Sequence, residues 1–255
     1  MTRKNNCCKS SDAVCLMIES AQNDTYKKLL SLTTAKGLKA HGLFLLPGEK
    51  LVREFLRAPC LPVVYEIMPP GGAPVASSAA PIYLSRALFD DIDVLGTHFN
   101  ILVLEQPPMP ILSDEDMKNY APAGIELAIP VGDPANLGAL IRSCEAFAVP
   151  RVILTREAAH PFLPKSVKAS AGSVLRVPMA RGPALGDFPD TAIALDIAGT
   201  PIDDFVWPAN GMLLIGEEGQ GFGCRQFGKR VTIPTKGVES LNVVVAASIA
   251  LSRIR

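Results

Sequence analysis

The chain has 255 residues, with 25 basic and 25 acidic side chains, no formal net charge and 48% hydrophobic residues. This balance excludes a protein that binds nucleic acid through overall positive charge. No apolar run is long enough to span a bilayer. The length suffices for one large domain or two modest ones. A composition rich in Ala, Val, Leu and Ile favours an α/β fold whose strands are covered on both faces.

Cysteine usage and the polar first residues indicate the compartment. The six cysteines are scattered without a C-x-x-C pair, and the N-terminus lacks the apolar core of a secretory signal. We therefore predict a reduced, cytoplasmic protein. Cys7, Cys8 and Cys15 have no matching histidine cluster, so we predict that no metal is bound. The three histidines are far apart in sequence, which favours surface or packing roles.

Residues 1–106 are predicted to alternate between helices and strands. The elements in chain order are a helix over 23–36 capped by Asn23 or Asp24, a strand over 42–48, a helix over 49–58, a strand over 61–68, a loop over 69–81, a helix over 84–92 and a strand over 100–106. Residues 1–57 carry ten Lys or Arg against five Asp or Glu. This basic end could meet phosphates, although charge alone favours a solvated surface.

Residues 107–120 are rich in proline and charge and are predicted to form a linker with one turn of helix. From residue 121 onward, strands are predicted over 125–131, 151–155, 191–197, 212–216 and 229–234, with helices over 139–149 and from near Ser240 to the end. The segment 166–172 leads into the apolar stretch 174–180. Such alternation predicts a mainly parallel sheet, in which ligands bind beyond the carboxyl ends of the strands. The loops around Asn136 and Gly216 and the segment 234–242 are expected there.

Each of these three stretches has two interpretations on its own. Residues 132–138 form a helix start that suits an anion, with Arg142 six residues beyond Asn136, or simply a capped helix with a surface arginine. The glycine-rich turn after residue 215 does not have the G-x-G-x-x-G spacing. It either approaches a flat ligand closely or is a structural turn. Ser240 and Asn242 either cap the last helix or belong to a site.

Taken together in this order, the three stretches carry a family resemblance. The chain reads N-x-G-x-x-x-R at 136–142, G-x-E-G-x-G at 216–221 and I-P-x-x-G-x-x-S-L-N-V at 233–243. This set closely resembles the three motifs of the SpoU (TrmH-type) branch of the SPOUT RNA methyltransferases. The N-terminal part resembles, more loosely, the small L30e-like RNA-binding domain that often precedes this catalytic domain. The resemblance divides the chain into 1–106, the linker 107–120 and a catalytic domain 121–255.

The resemblance implies a fold and an activity. The catalytic domain is expected to be a mainly parallel α/β sheet with a deep C-terminal trefoil knot, and it is expected to form a homodimer. Members of this family transfer methyl from S-adenosylmethionine, usually to a ribose 2′-hydroxyl in rRNA or tRNA. The expected cofactor is therefore S-adenosylmethionine and the expected partner is RNA, with no membrane involved.

The family's functional residues carry over to matching positions of this sequence. The expected catalytic residues are Asn136, Arg142, Glu218, Ser240 and Asn242. The expected cofactor-binding residues are Leu214, Ile215, Gly216, Glu218, Gly219, Ile233, Pro234, Gly237, Ser240, Leu241 and Asn242. A guanidinium stays protonated to a pKa above about 12, so Arg142 is better suited to position phosphate or stabilise an alkoxide than to act as a base.

The chain departs from the family pattern at three places. Val244 stands where the family usually has Ser, Ala148 where it usually has Gly, and Pro47 where Glu is common. We expect the first two to alter packing, whereas Pro47 bears on the RNA-binding domain. With no net charge, RNA binding needs a local patch. The candidates are Lys4, Lys9, Lys27, Lys28, Lys36 and Lys39.

Two other functions remain open at this level. A non-catalytic RNA-binding protein that keeps the fold is disfavoured by the intact residues of all three motifs. A nucleotide-dependent oxidoreductase that uses the glycine-rich turn is disfavoured by the glycine spacing.

Overall fold

The computed structural model describes residues 17–254, which contain two β-sheets and the helices that cover them. The first part consists of β1 (Met17–Ile18), α1 (Asp24–Ser31), α2 (Ala35–His41), β2 (Leu43–Leu46), α3 (Glu49–Arg57), β3 (Val63–Met68), β4 (Ala80–Leu84), α4 (Arg86–Ile92) and β5 (Ile101–Glu105). Its sheet has the order β1-β4-β3-β5-β2. The strands β1 and β3 run parallel to β4, whereas β2 and β3 run antiparallel to β5.

Two predictions for the first part were wrong in detail. The helix predicted over 23–36 is two helices, because the chain turns after Ser31 and Thr34 caps the second helix through the N–H of Gly37. The side chain of Asn23 caps the first helix by accepting from the N–H of Tyr26, as predicted. The last residues of the predicted loop 69–81 begin strand β4, which lies between β1 and β3. Pairing with both neighbours, rather than local sequence, makes this segment a strand.

The second part carries the larger sheet. It consists of β6 (Ile125–Ile129), α6 (Pro134–Ala146), β7 (Val152–Leu154), α7 (Pro164–Ala169), β8 (Met179–Arg181), β9 (Ile193–Pro201), β10 (Gly211–Ile215), β11 (Lys229–Thr232) and α8 (Val243–Arg253). The strand order is β11-β9-β10-β6-β7-β8, and every neighbouring pair is parallel. The predicted parallel α/β fold is therefore confirmed. All six carboxyl ends meet at one edge of the sheet.

The predicted linker contains the one helical turn expected of it. This helix, α5 (Asp114–Lys118), has a capping box in which Ser113 and Asp116 satisfy each other's backbone N–H groups. Just before it, the N–H of Leu112 donates to the carbonyl of Arg181 at 2.8 Å, and the N–H of Arg181 donates to Pro110 at 2.8 Å. The linker therefore pairs with the outer edge of β8.

The two parts share one continuous hydrophobic core. Phe44 of β2 packs against Phe162, which precedes α7, with ring centroids 4.6 Å apart, and both side chains are fully buried. This contact fixes the first part beside the carboxyl end of β7. The domain bounds, the L30e-like character of the first part and the trefoil knot stay predictions. Among residues 17–254, no helix combines the length and apolarity that crossing a membrane requires.

Candidate active site

A cavity of about 1060 Å³ opens at the carboxyl ends of β9, β10 and β11. This is the edge at which parallel sheets bind ligands. The walls come from the middle and end of β9, the glycine-rich loop after β10 and the segment 232–243. Nine of the eleven residues predicted to bind the cofactor line it: Ile215, Gly216, Glu218, Gly219, Ile233, Pro234, Ser240, Leu241 and Asn242.

The other two predicted residues lie outside the cavity wall. Leu214 is fully buried within β10 and packs into the core beneath the site. Gly237 has a φ of +81°, which glycine adopts without strain. It allows a turn in which the hydroxyl of Thr235 donates to the carbonyl of Val238 at 2.9 Å. Both residues shape the cavity without lining it.

The glycine-rich loop is a tight hairpin whose geometry accounts for its glycines. The N–H of Glu217 donates to the carbonyl of Gly221 at 2.8 Å, and the reverse bond is 2.9 Å. A Cβ on Gly216 would lie 2.8 Å from Cα of Gly221, so only glycine fits there. Strand β11, rather than a helix, is the next regular element. The arrangement lacks the helix N-terminus that a dinucleotide-binding turn provides.

The first and second motifs meet through one hydrogen bond. Asn136 lies in the first turn of α6, where Asp133 caps the helix by accepting from the N–H of Asn136 at 2.8 Å. Its side-chain amide donates to a carboxylate oxygen of Glu218 on the glycine-rich loop. These residues are 82 positions apart in sequence, so the contact depends on the adjacency of β6 and β10. The structure thus places Asn136 beside the cavity, where it holds Glu218.

Arg142 is not brought into the cavity of the single chain. It lies on α6, and its side chain is exposed. Six residues of helix carry it roughly 9 Å along the axis from Asn136 and about 120° around it. The two side chains therefore do not share one face of α6. Exposure leaves the guanidinium open to a partner outside this chain.

The last motif combines a cap with a cavity wall. Asn242 caps α8 through its side-chain oxygen, which accepts from the N–H of Val244 at 2.9 Å. Ser240 is exposed and lines the cavity, and it is not the helix cap. The predicted start of the last helix near Ser240 is three residues early. Asn242 therefore both caps the helix and lines the cavity, and its role in a functional site stays a prediction.

Several lining residues were not predicted from the sequence. Leu195, Asp196 and Ile197 carry no motif and lie in the middle of β9, where its pairing with β10 stops. Only the rule that carboxyl ends share one edge could have indicated them. Arg225 and Arg230 also line the cavity, and each has an acidic partner. Arg225 lies 3.0 Å from Asp190, whereas Arg230 lies 3.8 Å from Asp196.

The cavity wall is acidic once these ion pairs are counted. Glu217, Glu218 and Glu239 line it, and none of the three forms an ion pair within residues 17–254. The wall also offers apolar surface from Ile215, Ile233 and Leu241. A cavity with apolar walls and carboxylates at its rim suits a flat ligand with a cationic tail.

The other predicted residues either lie away from the cavity or fall outside residues 17–254. Lys4, Lys9, Cys7, Cys8 and Cys15 fall outside the described residues. Lys27 pairs with Asp24 at 4.0 Å, and the ammonium of Lys28 lies 5.9 Å from the ring centre of Tyr65. Lys36 and Lys39 are exposed on α2. Within residues 17–254, no three His, Cys, Asp or Glu side chains are grouped in a way that could hold a metal ion.

Comparison with known proteins supports the motif assignment. The 23S rRNA (guanosine(2553)-2′-O)-methyltransferase RlmP of Bacillus subtilis is 29% identical over 93% of this chain and 98% of its own length. Ribosomal RNA small subunit methyltransferase G 2 of Syntrophobacter fumaroxidans is 39% identical over 92% of this chain. The chain spans only 48% of that relative's length.

A solved structure agrees with the whole described fold. The AdoMet-bound rRNA methyltransferase from Sinorhizobium meliloti matches with a TM-score of 0.74 and 25% identity, over 94% of this chain and 97% of that one. The model of the SpoU rRNA Methylase family matches residues 127–252, which contain all three motifs and the cavity. This part of the chain belongs to the SpoU rRNA Methylase family.

Proposed function

We propose that this protein methylates RNA, transferring a methyl group from S-adenosylmethionine to a ribose 2′-hydroxyl. The observation that carries the proposal is the cavity at the carboxyl edge, where the second and third motifs converge and Asn136 of the first bonds to Glu218. The relative from Bacillus subtilis is named as a 2′-O-methyltransferase of 23S rRNA, and it aligns over nearly its full length. This likeness supports rRNA as the substrate class.

The cavity suits S-adenosylmethionine chemically. Its apolar surface matches an adenine ring, and its carboxylates, which form no ion pair within residues 17–254, match the positive sulfonium and ammonium groups. When bound, this cofactor supplies an electrophilic methyl group on a sulfonium. The hairpin at Gly216 presents backbone groups without a side chain between them, which allows a planar base to approach closely.

The remaining chemistry is alignment and charge stabilisation. The ribose hydroxyl is a poor nucleophile that must approach the methyl in line and lose its proton. Arg142 is exposed on α6, which is consistent with contact to the RNA ribose and phosphate rather than to the cofactor. A fixed positive charge there would stabilise the developing alkoxide. Ser240 and Asn242 would order the cavity wall beside the reacting atoms.

We also propose that the protein acts in the cytoplasm as a homodimer through its catalytic part. The likeness to rRNA methyltransferases supports the compartment, and Cys60, Cys144 and Cys224 form no disulfide within residues 17–254, as a reducing compartment would lead us to expect. The family resemblance supports the dimer, and exposed Val245 on α8 offers apolar surface for it.

The test begins with cofactor binding and continues with transfer. Isothermal titration calorimetry should detect S-adenosylmethionine binding and no NAD binding. Labelled S-adenosylmethionine should then transfer methyl to unmodified rRNA transcripts, and nuclease digestion should release a 2′-O-methylnucleoside. Arg142→Ala should reduce transfer by about 100-fold or more while leaving cofactor affinity within about twofold. The matched control is Arg253→Ala, which removes another exposed helical arginine and should transfer normally.

Three results would contradict the proposal. Cofactor binding without transfer to any RNA would favour a non-catalytic RNA-binding protein. Binding of NAD instead would favour an oxidoreductase. Normal transfer by Arg142→Ala would remove the role assigned to that residue.

A further inference from the structure

A second cavity, of about 620 Å³, opens at the same edge of the large sheet. Three parts of the chain enclose it: helix α2, the linker before α5 and the carboxyl ends of β7 and β8. The side chains that carry charge are Lys39, Asp114, Glu115, Arg156 and Arg181. None of the three motifs contributes a residue to it.

The positively charged side chains of this cavity have no acidic partner within ion-pair distance among residues 17–254. These side chains are Lys39, Arg156 and Arg181. Nη2 of Arg181 is buried and has no hydrogen-bond partner among the described residues. Burial lowers the pKa of this guanidinium, yet it stays charged at neutral pH. A buried donor without a partner is costly, and a bound water or ion is one explanation for it.

The nearby carboxylates form no ion pair with these groups within residues 17–254. Glu115 forms an ion pair with Lys118 at 2.6 Å. Glu157, next to Arg156, accepts from the hydroxyl of Thr155 at 2.6 Å and from the N–H of Leu185. Asp114 is the one cavity carboxylate without an ion pair in residues 17–254, against three cations. The cavity therefore has net positive charge in a protein with none overall.

Burial and the positive charge of the cavity lower the pKa of a histidine beside it. His160 lies after β7 and is 4% exposed. Burial first, then the charges of Arg181 and Lys39, lower its pKa to about 4. Its Nδ1 accepts from the N–H of Phe162 at 3.3 Å, as a neutral ring does. The positive field thus extends from the cavity into the interface between the two parts of the chain.

The position of the cavity suits the proposed substrate. Strands β7 and β8 lie two and three places from β10 in the sheet, on the side away from β9. At about 4.8 Å per strand, the two cavities are roughly 10–15 Å apart along one edge. A few nucleotides of RNA span such a distance. Asn136 and the start of α6 lie between the two cavities, at the end of β6.

We infer that this second cavity, at Lys39, Arg156 and Arg181, binds a backbone phosphate of the RNA substrate a few nucleotides from the methylated ribose. The inference rests on the proposed function. Guanidinium groups bind phosphate oxygens in a bidentate manner, and lysine adds a mobile charge. Because α2 and the sheet both contribute, one phosphate would contact both parts of the chain and fix the register of the RNA.

The test measures RNA affinity against salt. The probe is a short fluorescein-labelled single-stranded RNA of mixed sequence, followed by fluorescence anisotropy over a series of KCl concentrations. The variants are Lys39→Ala, Arg156→Ala and the double variant, all at exposed positions. Arg181 is left intact because its stem is half-buried. The matched control is Lys229→Ala, which removes one exposed charge at the start of β11, on the opposite edge of the sheet.

Each single variant should raise Kd about three- to tenfold, and the double variant more. The slope of log Kd against log salt should fall by about 0.7 for each phosphate that the variant no longer neutralises. Lys229→Ala should bind like the wild type. Wild-type affinity and slope in the double variant, an equal weakening in Lys229→Ala, or no RNA binding by the wild type would each overturn the inference. Calorimetry with S-adenosylmethionine separates the two ideas, since failure of cofactor binding alone would contradict only the proposed function.

Discussion

Arg225 ties the glycine-rich loop of the cavity to the neighbouring segment 185–190. Its guanidinium donates to the carbonyls of Gly186 and Phe188 and to the carboxylate of Asp190, and it lies over the ring of Phe227. A lysine could not make this planar set of contacts, because its three donors diverge from one nitrogen. Arg225 therefore acts as a positioning residue for the loop that forms one cavity wall.

We expect Arg225→Ala to weaken S-adenosylmethionine binding about tenfold, because the loop would lose its anchor. The free energy of unfolding should fall by about 2 kcal/mol as charge-assisted hydrogen bonds are removed. Calorimetry and urea unfolding measure the two effects. Arg225→Lys should recover little of either. The control Arg253→Ala removes only an exposed ion pair and should change cofactor affinity by less than about twofold. Normal cofactor binding by Arg225→Ala would show that the loop holds its shape without the anchor.

Single residues also show how far sequence reasoning reaches. The motifs predicted that Asn136 and Glu218 are site residues. They did not predict the hydrogen bond between the two side chains, because that contact depends on strand order. Ala148 occupies a position where the family usually has glycine, and its φ is +54°. The family glycine thus reflects a left-handed turn after α6, which alanine adopts at a cost of roughly 1 kcal/mol. We expected Ala148 to alter packing, whereas its positive φ shows that it alters backbone strain.

The helix α8 begins at a residue that also lines the cavity. Asn242 caps the helix and lines the cavity, so removal of its side chain would act in two ways. The two effects are separable, because Ser is as good a helix cap as Asn but lacks the amide group.

We predict that Asn242→Ala loses about 1 kcal/mol of unfolding free energy together with S-adenosylmethionine affinity. Asn242→Ser should recover the stability and not the affinity. Thermal unfolding and calorimetry on the same samples measure the two quantities. If Asn242→Ser bound the cofactor as tightly as the wild type, the residue would be a cap only. A comparable change outside the cavity is Asn23→Ala, which removes the cap of α1 and should cost stability alone.

Element types were predictable where apolar runs were long and bounded by turns. Strands β2, β5, β6 and β10 fall inside or within one residue of their predicted ranges because each is a buried run. The sequence predicted neither that β4 is a strand nor that the middle of β9 forms a cavity wall. Both depend on neighbours in the sheet, and no local pattern reports those neighbours.

The whole molecule depends on the junction between its two parts. Phe44, Phe162 and His160 form a buried cluster there, with the His160 and Phe162 ring centroids 5.9 Å apart. The charged groups around His160 are Arg181 on β8 and Lys39 on α2. The sequence indicated surface or packing roles for the histidines, but nothing local indicated that His160 would lie between two cations.

This arrangement makes stability depend on pH with a definite sign. The pKa of His160 falls from 6.5 to about 4 in the folded protein, so the unfolded chain binds the proton first as pH falls. The stabilisation is complete above pH 6.5 and is lost between about pH 6.5 and 4. Its upper limit is about 3 kcal/mol, from 1.36 kcal/mol per pKa unit.

We therefore predict that His160→Asn flattens the dependence of unfolding free energy on pH between 6.5 and 4. The Asn side-chain oxygen can still accept from the N–H of Phe162, but it does not titrate. Carboxylates such as Glu145, whose pKa is lowered by its bond to Arg176, also destabilise the fold as pH falls. Subtracting the variant's unfolding free energy from that of the wild type at each pH removes this contribution of the carboxylates, which both proteins share. His41→Asn, at an exposed position on α2, should keep the wild-type curve. Parallel curves for wild type and His160→Asn would mean that His160 protonates in the folded state without cost, and that the junction tolerates a third positive charge.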